Sequence, residues 1–271
     1  MKIGYLGPKG SFSELACKKL FEGDLIPYSS INECIKFVLS DIDHAVVPIE
    51  NTIGGSIYPT IDALLRHDVM ISDETILKID HSLIGIDEIQ LDKIRSIYSH
   101  PSVFAQCEQF ILKNMPQSQL ISVSSTSEGI KIIKEKNEKT SAAIGSEDTA
   151  KMFNMKILKR KIQDVLDNYT RFVSVSKNDH KMTEKDKTSI IFYFEKNKPG
   201  ILYDALGVFA KRTLNLTKIE SRPSKKEIGD YIFFLEFEGH RENQDVKAAL
   251  DELKSICAYV KILGSYPNHS K

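Results

Sequence analysis

Residues 2–13 read Lys-Ile-Gly-Tyr-Leu-Gly-Pro-Lys-Gly-Ser-Phe-Ser, a short apolar run that leads into a loop containing glycine. A helical periodicity follows the loop, and the same order of strand, loop and helix recurs as far as about residue 175. Further buried strands are predicted at 44–48, 94–98, 142–145 and 172–175. This alternation is typical of an α/β fold with a mostly parallel sheet, in which ligands lie beyond the carboxyl ends of the strands.

A charged segment separates this region from a second unit. Residues 177–187 read KNDHKMTEKDK, and Met182 is their one aliphatic side chain, so we expect a domain boundary here. In the remainder, strands are predicted at 189–194, 216–221, 231–237 and 258–263, and helices at 200–212 and 243–254, with Pro199 in the first turn. The order βαββαβ predicts a ferredoxin-like α+β domain of about 80 residues.

Composition limits the class of protein. The chain has 271 residues with 37 Lys+Arg, 37 Asp+Glu and 41% hydrophobic residues, which predicts two folded domains and gives no reason to expect a nucleic-acid partner. The four cysteines are far apart with no C-x-x-C pair, which argues against a zinc site or a disulfide framework. The chain lacks a signal-peptide pattern and a run of the ~20 apolar residues that span a bilayer, so we expect a cytoplasmic protein with no membrane partner.

The segments 7–13 and 47–56 each have a functional and a structural interpretation. Residues 7–13 could present backbone N–H groups to an anion, although they match neither a dinucleotide fingerprint nor a Walker A motif; alternatively they form a tight turn with Ser13 as helix N-cap. Residues 47–56 place polar groups directly after a strand. Three roles are open for Glu50, namely a general base, a helix cap or a buried partner of a backbone amide. Thr52 and Ser56 either bind a ligand or cap the next helix.

Two further segments carry candidate chemistry. His100 follows a strand and could be a base for Cys107, but Cys107 lies on the apolar stripe of a helix, which favours burial, and Ser99 or Ser102 could cap that helix. Arg171 enters a buried strand, where a guanidinium needs an anion. Arg171 is one member of an internal ion pair, or it is a bidentate clamp on a substrate carboxylate. In the second case it lies next to the Thr170 hydroxyl, which can donate a proton.

Taken together these segments resemble the prephenate dehydratase family. The blocks that carry the resemblance, in the family's order, are Gly7-Pro8-x-Gly10-Ser11-Phe12-Ser13, Val47-Pro48-Ile49-Glu50-Asn51 with Gly55-Ser56, Ser99-His100-Pro101, Gln106-Cys107 and Asn168-x-Thr170-Arg171-Phe172. The C-terminal unit resembles the family's regulatory ACT domain, with Pro199-Gly200-Ile201-Leu202 and Glu220-Ser221-Arg222-Pro223. Ser11, Thr52 and Ile201 replace the family's usual Thr, Ser and Ala, and the bulkier Ile201 would alter the effector pocket.

The resemblance implies an enzyme that converts prephenate to phenylpyruvate, water and CO2, without a cofactor or metal. It implies a catalytic domain at 1–178 with two lobes like a type II periplasmic binding protein, at about 1–78 plus 158–178 and at 79–157. Thr170 would assist the leaving hydroxyl, Arg171 would hold a carboxylate and Phe172 would form an apolar wall for the ring. The resemblance further implies that the substrate cleft is lined by Ser11, Ser13, Asn51, Ser99, Gln106 and Thr126.

For the ACT domain, placed at 188–266, the resemblance implies binding of L-phenylalanine at a subunit interface and feedback inhibition. The effector residues would be Pro199, Gly200, Ile201 and Leu202, met by a turn from the partner subunit made of Glu220, Ser221, Arg222 and Pro223. We expect a homodimer or homotetramer, and a monofunctional enzyme without a fused chorismate mutase. Two alternatives stay open: arogenate as the substrate, and a non-catalytic amino-acid sensor, against which the 168–172 block argues.

Overall fold

Three β-sheets organise the part of the chain that a computed structural model describes, namely residues 1–196, 198–224 and 230–269. Two of the sheets form the two lobes of an N-terminal α/β unit, and the third forms a C-terminal α+β unit. The predicted fold class, a two-lobed α/β domain followed by a βαββαβ domain, is confirmed. No helix in these described ranges is long and apolar enough to cross a membrane.

The first sheet has the strand order β2-β1-β3-β11-β5, with the short β4 beside β3. Its strands are β1 (Lys2–Leu6), β2 (Asp24–Tyr28), β3 (His44–Asn51), β4 (Gly55–Ser56), β5 (Met70–Lys78) and β11 (Tyr169–Ser176). Its helices are α1 (Phe12–Leu20), α2 (Ile31–Phe37) and α3 (Tyr58–Arg66). β1 is parallel to β2 and β3, whereas β11 returns from the second lobe and is antiparallel to β3 and β5.

The second sheet has the order β10-β6-β9-β7-β8. Its strands are β6 (Ser82–Gly85), β7 (Ser96–Ser99), β8 (Gln119–Ser122), β9 (Ser141–Gly145) and β10 (Lys156–Lys159), and a 3-10 turn covers Leu91–Lys93. Its helices are α4 (Pro101–Gln106), α5 (Glu108–Asn114), α6 (Thr126–Glu135) and α7 (Glu147–Met152). The expected lobe boundary at residues 157/158 is wrong, because it divides β10, which pairs with β6 of the second sheet.

The third sheet has the order β13-β14-β12-β15. Its elements are β12 (Asp186–Tyr193), α8 (Ile201–Ala210), β13 (Leu216–Pro223), β14 (Tyr231–Glu238), α9 (Gln244–Ile256) and β15 (Tyr259–Pro267). Helices α8 and α9 cover one face through a core that includes Phe209 and Leu253. The other face packs on the first lobe, where Ile191 and Phe234 share a core with Val173.

Two chain segments join the lobes side by side and form a hinge, made of residues 79–81 between β5 and β6 and residues 160–168 between β10 and β11. Ile79 N donates to the Asn168 carbonyl at 2.8 Å, and Ile162 N donates to the His81 carbonyl at 2.9 Å. Because a hinge of two crossing segments leaves a cleft between the lobes, polar side chains in these segments lie at the base of that cleft.

Candidate active site at the hinge

Five polar side chains form a continuous hydrogen-bonded chain at the hinge. Asn51 Nδ2 donates to Thr170 Oγ1 at 3.0 Å and to Asn168 Oδ1 at 2.7 Å. Asn168 Nδ2 donates to Gln106 Oε1 at 2.8 Å, and His81 Nε2 lies 3.1 Å from the same oxygen. The structure thus brings together three of the residues expected from sequence, Asn51, Gln106 and Thr170, and adds Asn168 and His81. We call these five side chains the amide chain.

Sheet register brings these residues to one place. Asn51 is the last residue of β3 and Thr170 is the second of β11, and the antiparallel pairing sets them opposite each other. Gln106 ends α4 in the second lobe, and its carbonyl accepts from Asp164 N of the hinge at 2.7 Å. Both lobes therefore contribute to one site. Asn168 is fully buried, whereas Thr170 retains 9% exposure at the base of the cleft.

The backbone around Asn51 fixes the direction of the donors. Asn51 Oδ1 accepts from Ile53 N at 3.0 Å and from Gly54 N at 2.8 Å, so its Nδ2 must face the acceptors on the other side. These are Asn168 Oδ1, Thr170 Oγ1 and the Tyr169 carbonyl, which lies at 3.1 Å. Since Asn51 then donates to Thr170 Oγ1, the threonine hydroxyl accepts there and its own proton is left to point elsewhere. A hydroxyl in this state can donate a hydrogen bond to a group bound in the cleft.

The lobes also meet on the far side of the cleft. Thr149 Oγ1 of α7 donates to the Gly10 carbonyl at 2.5 Å, and a Cβ placed on Gly10 would come within 2.7 Å of Met152 Cε. Gly10 has a φ of +85°, a conformation that glycine adopts without strain. The loop that precedes α1 therefore lies against the second lobe, which closes the cleft between this contact and the hinge.

The remaining expected cleft residues lie around this space in different roles. Ser11 is the N-cap of α1 and accepts from Glu14 N at 3.3 Å, so the alternative of Ser13 as the cap is wrong. Ser13 is buried in the first turn of α1, and Thr126 is the first residue of α6 in the second lobe. Ser99 is fully buried and donates to the Ile144 carbonyl of β9 at 2.9 Å, which ties its hydroxyl to the second sheet.

Arg171 points away from the amide chain, toward the C-terminal domain. Its Nη1 lies 3.2 Å from Glu74 Oε2 and its Nη2 lies 2.8 Å from Glu236 Oε2, with all three side chains buried. Burial alone would lower the pKa of the guanidinium, but Glu236 raises it above its usual value. The structure contains the internal ion pair, and the expected clamp on a substrate carboxylate is corrected, because neighbours in a strand point to opposite faces and both Nη groups of Arg171 are paired.

Phe172 also departs from the expectation. It is 2% exposed and packs under α1 with a core made of Ile3, Tyr5, Ala16, Cys17 and Val46. Its ring is enclosed in the first lobe and is absent from the cleft surface, so its expected role as a wall for a substrate ring is corrected. An aromatic ring that does contact the hinge is Phe12 of α1, whose centroid lies 6.2 Å from that of His81 in an edge-on arrangement.

The same geometry decides between the interpretations of Glu50, Thr52 and Ser56. Glu50 accepts from Lys218 Nζ of the C-terminal domain at 2.6 Å, which makes it an ion-pair partner. Thr52 bonds the hinge backbone at Asp167 and Tyr169, and Ser56 bonds Glu220, so neither caps α3.

The His100 and Cys107 interpretation is settled in favour of structure. His100 caps α4 through Nδ1, which accepts from Ser102 N at 3.2 Å, so neither Ser99 nor Ser102 is the cap. Cys107 is fully buried and burial raises the pKa of its thiol to about 12. A thiol with such a pKa is a poor nucleophile near neutral pH.

In the C-terminal domain, Gly200 is the N-cap of α8 with a φ of +87°, and a Cβ there would meet no atom within 4 Å. Pro199 precedes the cap and is not in the first turn, which corrects the sequence expectation. Ile201 is buried, Leu202 is half-buried and Pro199 is exposed. The 199–202 segment thus presents an exposed backbone turn at the start of a helix.

Residues 220–223 form the end of an edge strand, not a turn. Ser221 and Pro223 are exposed, whereas Glu220 and Arg222 face the first lobe of the same chain. Glu220 bonds Ser56, and Arg222 is paired with Asp62 of α3. The expected contact of all four residues with a ligand is therefore corrected, since alternate residues of the strand serve two different faces.

Sequence reasoning missed two members of the amide chain. Asn168 stands inside the 168–172 block but was not assigned to the site, and His81 follows β5, a strand that the sequence pattern did not identify. The polar Asp80-His81-Ser82 between two apolar runs was the available indication of a functional loop.

The fold and site define a two-lobed α/β protein with a polar cleft and a C-terminal α+β domain, and comparisons identify its family. Family models described as prephenate dehydratase and ACT domain match residues 3–180 and 188–255. The chain is 42% identical to the bifunctional chorismate mutase/prephenate dehydratase of Aquifex aeolicus over 98% of this chain and 74% of that one. It is 40% identical to the prephenate dehydratase of Methanocaldococcus jannaschii over 97% of both chains.

A solved structure agrees with these relatives. The crystal structure of an Arthrobacter aurescens prephenate dehydratase in complex with L-Phe superposes with a TM-score of 0.91 at 30% identity, covering 99% of this chain and 90% of that one. The chain belongs to the prephenate dehydratase family. The resemblance inferred from the sequence blocks and the expectation of an enzyme of the lyase class are confirmed.

Proposed function

We propose that the chain converts prephenate to phenylpyruvate in the formation of L-phenylalanine. The reaction breaks the bond between the ring and its carboxylate, whose electrons enter the ring as CO2 leaves. It also breaks the ring C–OH bond, and the hydroxyl takes up one proton and departs as water. Aromatisation of the ring provides the driving force, so the protein needs to orient the dianion and assist the leaving hydroxyl.

The observation that carries this proposal is the donor direction of Thr170. Because Asn51 Nδ2 donates to Thr170 Oγ1 at 3.0 Å, the Thr170 O–H is free to donate to the leaving hydroxyl at the base of the cleft. A threonine hydroxyl is a weak acid, so its role is to stabilise negative charge on the leaving oxygen by hydrogen bonding.

The substrate carboxylates need partners other than Arg171, whose Nη groups are held by Glu74 and Glu236. Neutral donors at the two sides of the cleft fit this need. The Ser11 hydroxyl is already used, because it donates to the Leu6 carbonyl at 3.1 Å and accepts from Glu14 N. Ser13 lies at the N-terminus of α1, Thr126 lies at the N-terminus of α6, and a helix N-terminus favours an anion. Gln106 adds its Nε2 group from the base of the cleft. The Asn51 amide and the Ser99 hydroxyl are held by protein partners, so their role is to support the site.

The test is phenylpyruvate formation from prephenate, followed by absorbance, for the wild type and Thr170→Ala. We expect wild-type turnover and a loss of about 100-fold or more in kcat for the variant, within the range for removal of one hydrogen-bond donor that stabilises developing negative charge. Equal rates for the two proteins would contradict the role of Thr170. Turnover of arogenate instead of prephenate would reassign the substrate, and turnover of neither would favour a non-catalytic sensor.

We further propose that L-phenylalanine binds the C-terminal domain and inhibits the enzyme. The exposed turn at Gly200 leaves room for the ligand's backbone-like amino and carboxylate groups, and the exposed Ser221 face of β13 is available to a second copy of the chain. The Arthrobacter relative, solved with L-Phe, supports this effector. A homodimer or homotetramer in the cytoplasm, with domains at 1–178 and 188–266, completes the proposal; sedimentation with and without L-phenylalanine tests the assembly.

A further inference from the structure

His81 lies in the hinge and makes two kinds of contact that the proposed reaction does not use directly. Its main chain bridges the two hinge segments, since Ile162 N donates to the His81 carbonyl and His81 N donates to Gln163 Oε1 at 2.9 Å. Its side chain is 98% buried and reaches Gln106 at the end of the amide chain. The ring is therefore held between the hinge backbone and the catalytic residues.

The protonation pattern of the ring follows from the backbone, step by step along the amide chain. The N–H groups of Ile53 and Gly54 orient Asn51 so that its Nδ2 donates to Asn168 Oδ1. Asn168 must then donate through Nδ2, and it does so to Gln106 Oε1. Because that oxygen is an acceptor only, His81 Nε2 at 3.1 Å must carry the proton and donate to it.

The other ring nitrogen is consistent with this tautomer. His81 Nδ1 is buried and has no hydrogen-bond partner among the described residues. Unpartnered N–H groups are rarer in protein interiors than unpartnered acceptors, so the ring nitrogen without a partner is the one that lacks the proton. Burial also lowers the pKa of His81, which keeps the ring neutral. The ring thus has one donor, and it is directed at Gln106.

The contacts of His81 and Asn168 determine the orientation of the Gln106 carboxamide. With Oε1 held by both Asn168 and His81, the carboxamide cannot rotate, and Gln106 Nε2 keeps its two N–H groups, which no acceptor among the described residues takes. We propose that His81 is a positioning residue that fixes the Gln106 carboxamide, so that the two N–H groups of Gln106 Nε2 stay available to the substrate in the cleft. This inference rests on the proposed function.

Three variants at residue 81 separate the donor from the bulk of the ring. His81→Gln keeps an N–H donor at the distance of Nε2, His81→Asn ends at the distance of Nδ1 and cannot reach Gln106, and His81→Leu removes the donor altogether. We expect kcat on prephenate to fall by roughly 10- to 100-fold in His81→Asn and His81→Leu, as for loss of an outer group that orients a reacting one. His81→Gln should stay within about threefold of the wild type, and KM should change less than kcat in all three.

Wild-type kcat in His81→Leu, or equal rates for His81→Asn and His81→Gln, would overturn the proposal. If His81→Leu fails to fold, the comparison of the two amide variants still decides it. A second measurement does not depend on turnover: in protein labelled with ¹⁵N-histidine, NMR identifies which ring nitrogen carries the proton, and His81→Gln assigns the signal among the seven histidines. A proton on Nδ1 would overturn the proposal, whereas absence of turnover in the wild type with a proton on Nε2 would instead reject the proposed function.

Discussion

Asn51 determines what the Thr170 hydroxyl can do, because its amide nitrogen occupies a lone pair of that oxygen. Asn51→Asp keeps the shape of the side chain but replaces this donor with an acceptor, to which the Thr170 proton would turn. The new oxygen would also face Asn168 Oδ1, which now accepts from Asn51 at 2.7 Å. We expect kcat on prephenate to fall by about 100-fold.

Asn137→Asp is the matched control, since it adds the same charge at an exposed position of the second lobe. It should leave kcat unchanged. Steady-state kinetics of both variants, with circular dichroism to establish folding, provide the comparison. A well-folded Asn51→Asp enzyme with wild-type kcat would show that Thr170 does not need the amide donor.

Gly200 permits a separate test at the level of one residue. Its φ of +87° disfavours any side chain, yet the space around a Cβ is open. Gly200→Val should abolish inhibition by L-phenylalanine, because the branched side chain blocks close approach to the backbone and strains the turn. Gly200→Asn tolerates the left-handed conformation and should retain part of the inhibition. Inhibition curves measure both; unchanged curves for Gly200→Val would place the effector elsewhere.

At the scale of elements, strand β13 contacts two environments through alternate residues. Lys218, Glu220 and Arg222 face the first lobe, whereas Ile219 and Ser221 are exposed. Lys218 Nζ lies 2.6 Å from Glu50 Oε1, and Glu50 is the chain neighbour of Asn51. A ligand on the exposed face that shifts β13 would therefore act on the residue that orients Thr170. The Lys218–Glu50 ion pair is thus a structural connection between β13 and Asn51, and a substitution at Lys218 measures the coupling between the two.

Lys218→Met supplies that measurement by removing the ion pair while keeping the length of the side chain. We expect the L-phenylalanine concentration for half-inhibition to rise about 2- to 30-fold, the range for a residue that carries part of a coupling free energy. Lys211→Met is the control, because Lys211 pairs with Glu252 inside the C-terminal domain at 3.3 Å. An equal shift in both variants, or none in Lys218→Met, would exclude this coupling.

The strands and helices also show how much of the fold could be predicted from the sequence alone. Apolar runs identified strands that carry the site, such as β3 before Asn51. The pattern did not identify the edge strands β2 and β10, whose sequences DLIPY and KILK contain very short apolar runs. The direction of Arg171 was beyond local patterns as well, because its partner Glu236 lies 65 residues further along the chain.

Across the whole molecule, a buried cluster of charges joins the two domains. Arg171 of β11 binds Glu74 of β5 and Glu236 of β14, and Lys187 of β12 lies 2.9 Å from Glu74. Removing one partner of such a cluster leaves the others with uncompensated charge in a medium of low polarity. The cluster therefore makes the stability of the catalytic domain depend on the position of the C-terminal sheet.

Glu236→Gln tests this dependence. We expect a loss of about 3–5 kcal/mol in the free energy of unfolding at pH 7, because the amide no longer compensates Arg171. Burial alone would raise the pKa of Glu236, but Arg171 and Lys187 hold it below its ordinary value of 4.5. A carboxyl whose pKa is lowered by folding stabilises the native state above the unfolded pKa and loses that contribution as pH falls. The difference between wild type and variant should therefore shrink below pH 4.5.

Urea unfolding midpoints at pH 7 and at successively lower pH measure the effect. Glu238→Gln is the control, since Glu238 stands two residues along the same strand and is exposed. Its midpoint should match the wild type at each pH. If Glu236→Gln unfolds at the wild-type urea concentration at pH 7, the buried cluster contributes no net stability, and the two domains are held together by their shared apolar core and by the contacts of β13 with the first lobe. A deficit that persists unchanged in acid would instead assign the loss to packing rather than to the charge of Glu236.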